Sequence, residues 1–157
     1  MGSRLFAGMA AALFLFAPAL AGLAGALPHS SVVIETPRGQ VRFSVEVAAD
    51  SESRVRGLMY RPQLPADAGM LFDFHDDHFR AFWMKDTPLP LDMLFIRADG
   101  TISSISPNAK PMSQEPITSR EPVRAVLEIN GGRAAALDIR PGETVHNTVF
   151  ANALPGQ

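Results

Sequence analysis

Apolar residues in this chain recur at every second position, in short bursts, and seldom at helical spacing. Val41, Phe43, Val45 and Val47 alternate with Arg42, Ser44 and Glu46. Val123, Ala125, Leu127 and Ile129 alternate with Arg124, Val126 and Glu128. Successive side chains of an extended strand point to opposite faces, so each burst specifies a strand with at least one buried face. The 13 prolines and 12 glycines cut the bursts short. Such a chain can take its apolar side chains out of water only by pairing the strands into a curved sheet.

Local signals place the elements. Val32–Thr36 and Gln40–Val47 flank Pro37-Arg38-Gly39 and read as a hairpin. Asp50 or Ser51 can cap a short helix from Asp50 to Met59, with Val55, Leu58 and Met59 as its apolar stripe and Gly57 and Pro62 limiting its length. Met70, Phe72 and Phe74 suggest a strand, His75–His78 a polar turn, and Phe79–Met84 a second aromatic strand. Thr87-Pro88-Leu89-Pro90 must be extended and leads into a strand at Leu91–Ile96. Asp99-Gly100 predicts a type I′ turn into Thr101–Ile105. Ser106–Pro122 holds four prolines and reads as a long loop. After the strand at Val123–Ile129, Asn130-Gly131-Gly132 opens a brief helix, Arg133–Asp138, and a Pro-Gly turn leads to a last strand, Thr144–Phe150. The fold expected is mainly β, of the α+β kind. It is a small curved antiparallel sheet or partly closed barrel of seven or eight strands with two short helices.

The chain begins with Arg4, an apolar run from Leu5 to Leu20, and small residues ending Ala24-Gly25-Ala26. That is the tripartite pattern of a secretory signal, expected at 1–26, followed by a single domain at 27–157 in the periplasm or outside the cell. The competing reading is a membrane anchor, against which Pro18, Gly22 and Gly25 interrupt the run. With the signal removed, Arg4 leaves with it, and 13 basic and 16 acidic side chains remain. So acidic and evenly mixed a domain is a poor partner for nucleic acid. Without cysteine there is no disulfide, thiolate metal site or thiol catalysis. A monomer with no cofactor and no membrane contact after cleavage is the expectation.

Four segments carry a resemblance. They are Arg56-Gly57-Leu58-Met59, Gly69-Met70-Leu71-Phe72, Phe82-Trp83-Met84-Lys85-Asp86-Thr87 running into Pro90-Leu91-Asp92, and Val126-Leu127-Glu128-Ile129-Asn130-Gly131-Gly132. In this order, across roughly 41–145, they resemble the DUF192 family, a domain of unknown function. The resemblance implies a compact β-rich domain, often behind an export signal, and no established reaction. Asp86 stands where Asn is common, and Arg133 where an aromatic is frequent. The stretch from Ala134 to Val145 also looks like the helix–turn–strand ending of PDZ domains, but the carboxylate-binding glycine loop of that family is absent.

The densest chemistry lies at Trp83, Lys85 and Asp86, with Asp92 just beyond. With apolar residues on both faces, the strand at 79–84 should be central or line a groove. Trp83 could floor such a groove, or be plain core. Arg56, on the short helix, could bind an anion or brace Glu128 or Asp92 as an ion pair. The amides of Asn130-Gly131-Gly132 could hold an anion, or simply turn the chain. Met59, Met70, Met84, Met93 and Met112, with His75, His78 or His146, admit a copper(I) site against the alternative of core packing. His75 and His78 admit a zinc or nickel ion. No nucleophile motif, phosphate loop or zinc-protease motif is present. The expectation is a noncatalytic binding module for a small polar ligand, glycan or peptide, using Arg56, Trp83, Lys85, Asp86, Asp92 and Glu128. The alternatives are an envelope-acting enzyme that uses Asp86 and Asp92, and a soft-metal protein.

Overall fold

A computed structural model describes residues 26–156. The signal expected at 1–26 lies outside the described residues but for Ala26. The hairpin forms as expected from β1 (His29–Thr36) and β2 (Gly39–Ala48), with Thr36 opposite Gly39 at the turn. Asp50 caps α1 (Ser51–Arg56), its carboxylate accepting the Ser53 amide at 2.8 Å. The helix stops short of Met59 because Gly57 turns the chain at φ 48°. Leu58 is buried, but Val55, expected on the apolar stripe, faces solvent.

β3 (Ala68–His78) lies parallel to β2. Parallel neighbours need a crossover, and α1 with the chain after it supplies one, which drapes this segment over one face of the sheet. The expected turn at His75–His78 is instead the end of β3, bulged between Asp73 and His78. β4 (Ala81–Phe82) is two residues long and, among the described residues, pairs only with β7 (Ile117–Thr118) in a separate small sheet. The expected aromatic strand at 79–84 is therefore neither long nor central, because Thr87-Pro88-Leu89-Pro90 follows at once. β5 (Leu91–Ile96) and β6 (Ile102–Ala109) form the second hairpin. Its turn is not type I′: of Asp99 and Gly100 only Gly100 has positive φ, 86°. The Gly100 amide donates to Arg97 O at 3.0 Å and the Arg97 amide to Thr101 O at 2.9 Å. This is the three-residue loop with a left-handed glycine in its last position.

The long loop expected at Ser106–Pro122 is partly strand, since β6 continues to Ala109 and β7 lies within it. β8 (Val123–Asn130) leads through the glycines into α2 (Arg133–Ala136). The last strand shrinks to β9 (Val145–His146), because buried Asn147 caps a 3-10 turn at Thr148–Phe150 by accepting the Val149 amide at 3.0 Å.

The main sheet has the order β6-β5-β8-β3-β2-β1-β9, antiparallel except between β2 and β3. It curls until its two edges touch. Thr101 bridges to Thr144, the Ile102 amide donates to Glu143 O at 2.9 Å, and the Val145 amide to Gly100 O at 2.8 Å. The concave side holds Phe43, Leu71, Leu94 and Leu127 among its buried residues. On the other side Met70, Phe72, Met93, Phe95 and Val126 pack with Leu58 and Met84 from the covering segments. All six residues of β5 are buried, as a strand covered on both faces requires.

Candidate functional site

The covering layer does not close completely. Between α1, the outer face of β3 and β8, and the segment from Ala81 to Thr87 lies a hollow of about 330 Å³. Arg54 and Arg56 reach it from α1, Phe72 from β3, Phe82 and Trp83 from the 81–87 segment, and Glu128 from β8. Gly57 makes the close approach of α1 possible. A Cβ at Gly57 would stand 3.2 Å from Phe72 Cζ, and its φ of 48° disfavours any other residue. Phe82 meets Phe72 edge-on with centroids 5.1 Å apart and Phe74 at 6.1 Å, so the apolar wall is a set of interlocked rings.

Glu128 is the unusual member. It stands opposite Met70 on one side and Met93 on the other, both fully buried. Its own exposure is 5 %. Among the described residues no donor or cation reaches its carboxyl. Burial alone pushes its pKa up to about 8, so the group is mostly the neutral acid at pH 7. The two arginines do not relieve it. Arg54 donates to Ala49 O at 2.5 Å and Asp73 O at 3.0 Å, and its guanidinium lies 5.3 Å from the Phe74 ring centroid. Arg56 is exposed, and among the described residues it forms no ion pair. The brace expected from Arg56 to Glu128 or Asp92 is absent.

Trp83 is 49 % exposed on the wall of the hollow, so the reading of it as core fails. Met84, the next residue, is the one that turns into the core. Lys85 lies outside the lining and places Nζ 5.6 Å from the Trp83 ring centroid. Asp86 occupies the same turn at φ 54°. Its carboxylate accepts the Tyr60 hydroxyl at 2.8 Å, and its carbonyl accepts the Tyr60 amide at 2.7 Å.

Asp92 does not belong to this site. It is fully buried, and its carboxylate accepts the amides of Asn108 at 2.8 Å, Gly132 at 2.9 Å and Ala134 at 2.8 Å. It ties β6 and the start of α2 to β5, which is structural work. The same bonds occupy the Asn130-Gly131-Gly132 turn, whose Gly131 amide also donates to Pro90 O at 2.8 Å, leaving no free cradle for an anion. The acid–base pairing of Asp86 with Asp92 is not formed, since each carboxylate is engaged by different partners.

The residues considered for metals disperse. Met70, Met84 and Met93 are buried in the outer core, and Met112 is exposed. His75 and His78 are exposed and lie beside Asp73 and Asp76, and His146 lies beside Glu35. Among the described residues no three His, Asp or Glu side chains gather as a metal site.

Three of the six expected residues, Arg56, Trp83 and Glu128, thus share one hollow although they come from well-separated parts of the chain. Sequence reasoning did not assign Phe72 and Phe82 to the site. Their aromaticity was visible, but nothing in a sequence shows that buried Phe72 and half-buried Phe82 end beside the same hollow.

A family model, DUF192, described as an uncharacterised ACR, matches residues 33–147. No curated protein matches the chain. Among solved structures, one from Sinorhizobium meliloti, described as a candidate transcription regulator, is 44% identical, with a TM-score of 0.77 over 80% of this chain and 98% of that one. A protein of unknown function from Novosphingobium aromaticivorans is 36% identical, with a TM-score of 0.76 over 90% of this chain and 100% of that one.

Proposed function

This chain belongs to the DUF192 family, and from that premise we propose that it is an exported, noncatalytic binding module whose small ligand occupies the hollow between α1 and the 81–87 segment. One observation carries the reading. Arg56, Trp83 and Glu128 converge on a cavity of about 330 Å³, within the size range of small-molecule sites, with aromatic walls and few polar groups. A fold settling its own needs would fill such a space or pair its carboxyl, since an unpartnered buried acid costs stability.

The geometry favours a small molecule over the other expected partners. The sheet edges meet at the Thr101–Thr144 bridge, which disfavours addition of a peptide strand there. The regulatory description of the Sinorhizobium meliloti protein does not bring DNA binding to this chain. α1 and α2 are six and four residues long, too short to lie along a major groove, and the chain is acidic overall. Catalysis through Asp86 and Asp92 loses its support with Asp92 enclosed by three amides.

Trp83 is the single tryptophan and lies on the cavity wall, so its fluorescence reports occupancy directly. A panel of sugars, amino acids, nucleosides and aromatic acids is screened by Trp83 emission and by thermal shift. A true ligand at 100 times its Kd adds about 2.7 kcal/mol to stability. Trp83→Ala should lose that shift, and a folded variant that keeps it would remove the hollow from the site. Export is read separately by N-terminal sequencing of periplasmic protein, which should begin at Leu27.

A further inference from the structure

The walls and the two ends of the hollow differ in chemistry, and the difference defines a ligand. At the floor Glu128 presents a carboxyl with no partner among the described residues, between buried Met70 and Met93. Beside it stand the rings of Phe72 and Phe82, and farther out Trp83. A carboxyl ringed by aromatic faces and edges is an environment suited to an organic ammonium group, which gains from both the acid and the π faces. At the mouth Arg56 is, among the described residues, the cation left unpaired, because Arg54 is already committed to two carbonyls and the Phe74 ring. A guanidinium facing solvent at the rim of an apolar cleft is suited to a carboxylate.

We propose that the hollow binds a zwitterion of amino-acid size, its ammonium directed to Glu128 and its carboxylate to Arg56, with an apolar or aromatic body against Phe72, Phe82 and Trp83. The proposal rests on the binding role assigned to this hollow and specifies its ligand class. Its charges are complementary end to end, which neither a simple anion nor a simple cation achieves. A cavity of about 330 Å³ admits a molecule of this size and excludes a long polymer from its interior.

A proton must move when such a ligand binds. The neutral Glu128 acid gives its proton to buffer as the ammonium settles beside it, and the pair that remains is carboxylate and ammonium. The ionisable groups facing the hollow are Arg54 and Arg56 from α1 and Glu128 from β8, and β3 and the 81–87 segment contribute none to its lining. Both arginines are fixed cations at neutral pH, so Glu128 is the group that can release the proton.

The test is titration calorimetry at pH 7 in two buffers of different ionisation enthalpy, on the full mature domain. The probes are phenylalanine, phenethylamine and 3-phenylpropionate, which share a ring and differ in charge. Phenylalanine is expected to bind at least tenfold tighter than either of the others, releasing close to one proton. Phenethylamine should release the same proton, and 3-phenylpropionate none. Glu128→Gln should abolish proton release, and Arg56→Met should erase the advantage of phenylalanine over phenethylamine while leaving the release intact. Thermal unfolding shows whether each variant is folded. Tighter binding of 3-phenylpropionate, phenylalanine binding without proton release, or no binding by any of the three would each overturn the zwitterion assignment. A neutral compound from the broader panel that quenches Trp83, and whose thermal shift is lost in Trp83→Ala, would leave the hollow as the site while ending this proposal. Silence of Trp83 toward the whole panel would end both.

Discussion

Tyr60 and Asp86 hold each other twice, by hydroxyl to carboxylate and by amide to carbonyl, and each adopts a left-handed backbone to do so. The pair fastens the exit of α1 to the turn after Trp83, so the two sides of the hollow's mouth are joined at one point. The bond to the Asp86 carboxylate raises the Tyr60 phenol above its ordinary value of 10.0, with the nearby negative charge acting in the same sense. Tyr60 is the single tyrosine, so its ultraviolet titration is uncrowded. Its midpoint should lie above 10 in the native protein and return toward 10 in Asp86→Asn, which keeps the turn and removes the charge. A native midpoint at the free value would show that the bond does not persist in solution.

Glu128 sets a pH dependence of opposite sense to that of most carboxylates. Its ordinary value is 4.5, and in the folded protein it stands at about 8. Between those two values the folded state holds a proton that the unfolded state has lost. Stability therefore falls as pH rises from about 4.5, and the loss is complete above about 8. The full swing is on the order of 4–5 kcal/mol. Glu128→Gln removes the ionisation, so its denaturant midpoint should vary less over that window and exceed that of the native protein at pH 9. Urea unfolding from pH 5 to pH 9 measures both, and parallel profiles would place the carboxyl in water.

Asp92 predicts the reverse outcome for a carboxylate on the other side of the sheet. Three amides converge on it, and a side-chain amide cannot accept all three as well. Asp92→Asn should cost about 3 kcal/mol in chemical denaturation and leave Trp83 emission unchanged. A loss under 1 kcal/mol would mean that water replaces those bonds.

Gly57 separates backbone strain from crowding. Gly57→Ala forces a Cβ both into positive φ and against Phe72, whereas Gly142→Ala, at φ 94° with nothing within 4 Å, imposes strain alone. The first should cost about 2–3 kcal/mol and weaken any ligand of the hollow, and the second about 1 kcal/mol with no effect on binding. Equal losses in urea unfolding would remove the Phe72 contact from the account.

The sheet was legible in the sequence where alternation was regular. β2 and β8 lie where Phe43 and Leu127 placed them, because period-two burial needs only neighbouring residues to be recognised, and β1 and β5 lie where short apolar runs beside turn signals placed them. What failed was set by distant partners. Phe79–Met84 has the composition of a central strand, yet its only ladder partner among the described residues is a two-residue strand far along the chain. Ser106–Ala109 contains a proline and still pairs with β5, because it is an edge strand that tolerates a missing donor. Arg56, Trp83 and Glu128 were recognisable as chemistry but not as neighbours, and Asp92 looked like their companion only because it follows Asp86 closely in sequence. Its alternation with Leu91 and Met93, both of the outer core, carries the sign that it faces the other way.

The junction between Thr101 and Thr144 bears on how the molecule behaves in a crowd. An open sheet without disulfides offers two rows of bare amides and carbonyls to any passing strand, and that is a route to fibres. Here the first part of one rim is stitched to the other, and the remainder of β6 carries Pro107, which has no amide to offer. Thr101 and Ile102 are thereby withheld from a second copy, and Pro107 removes one more donor from the template.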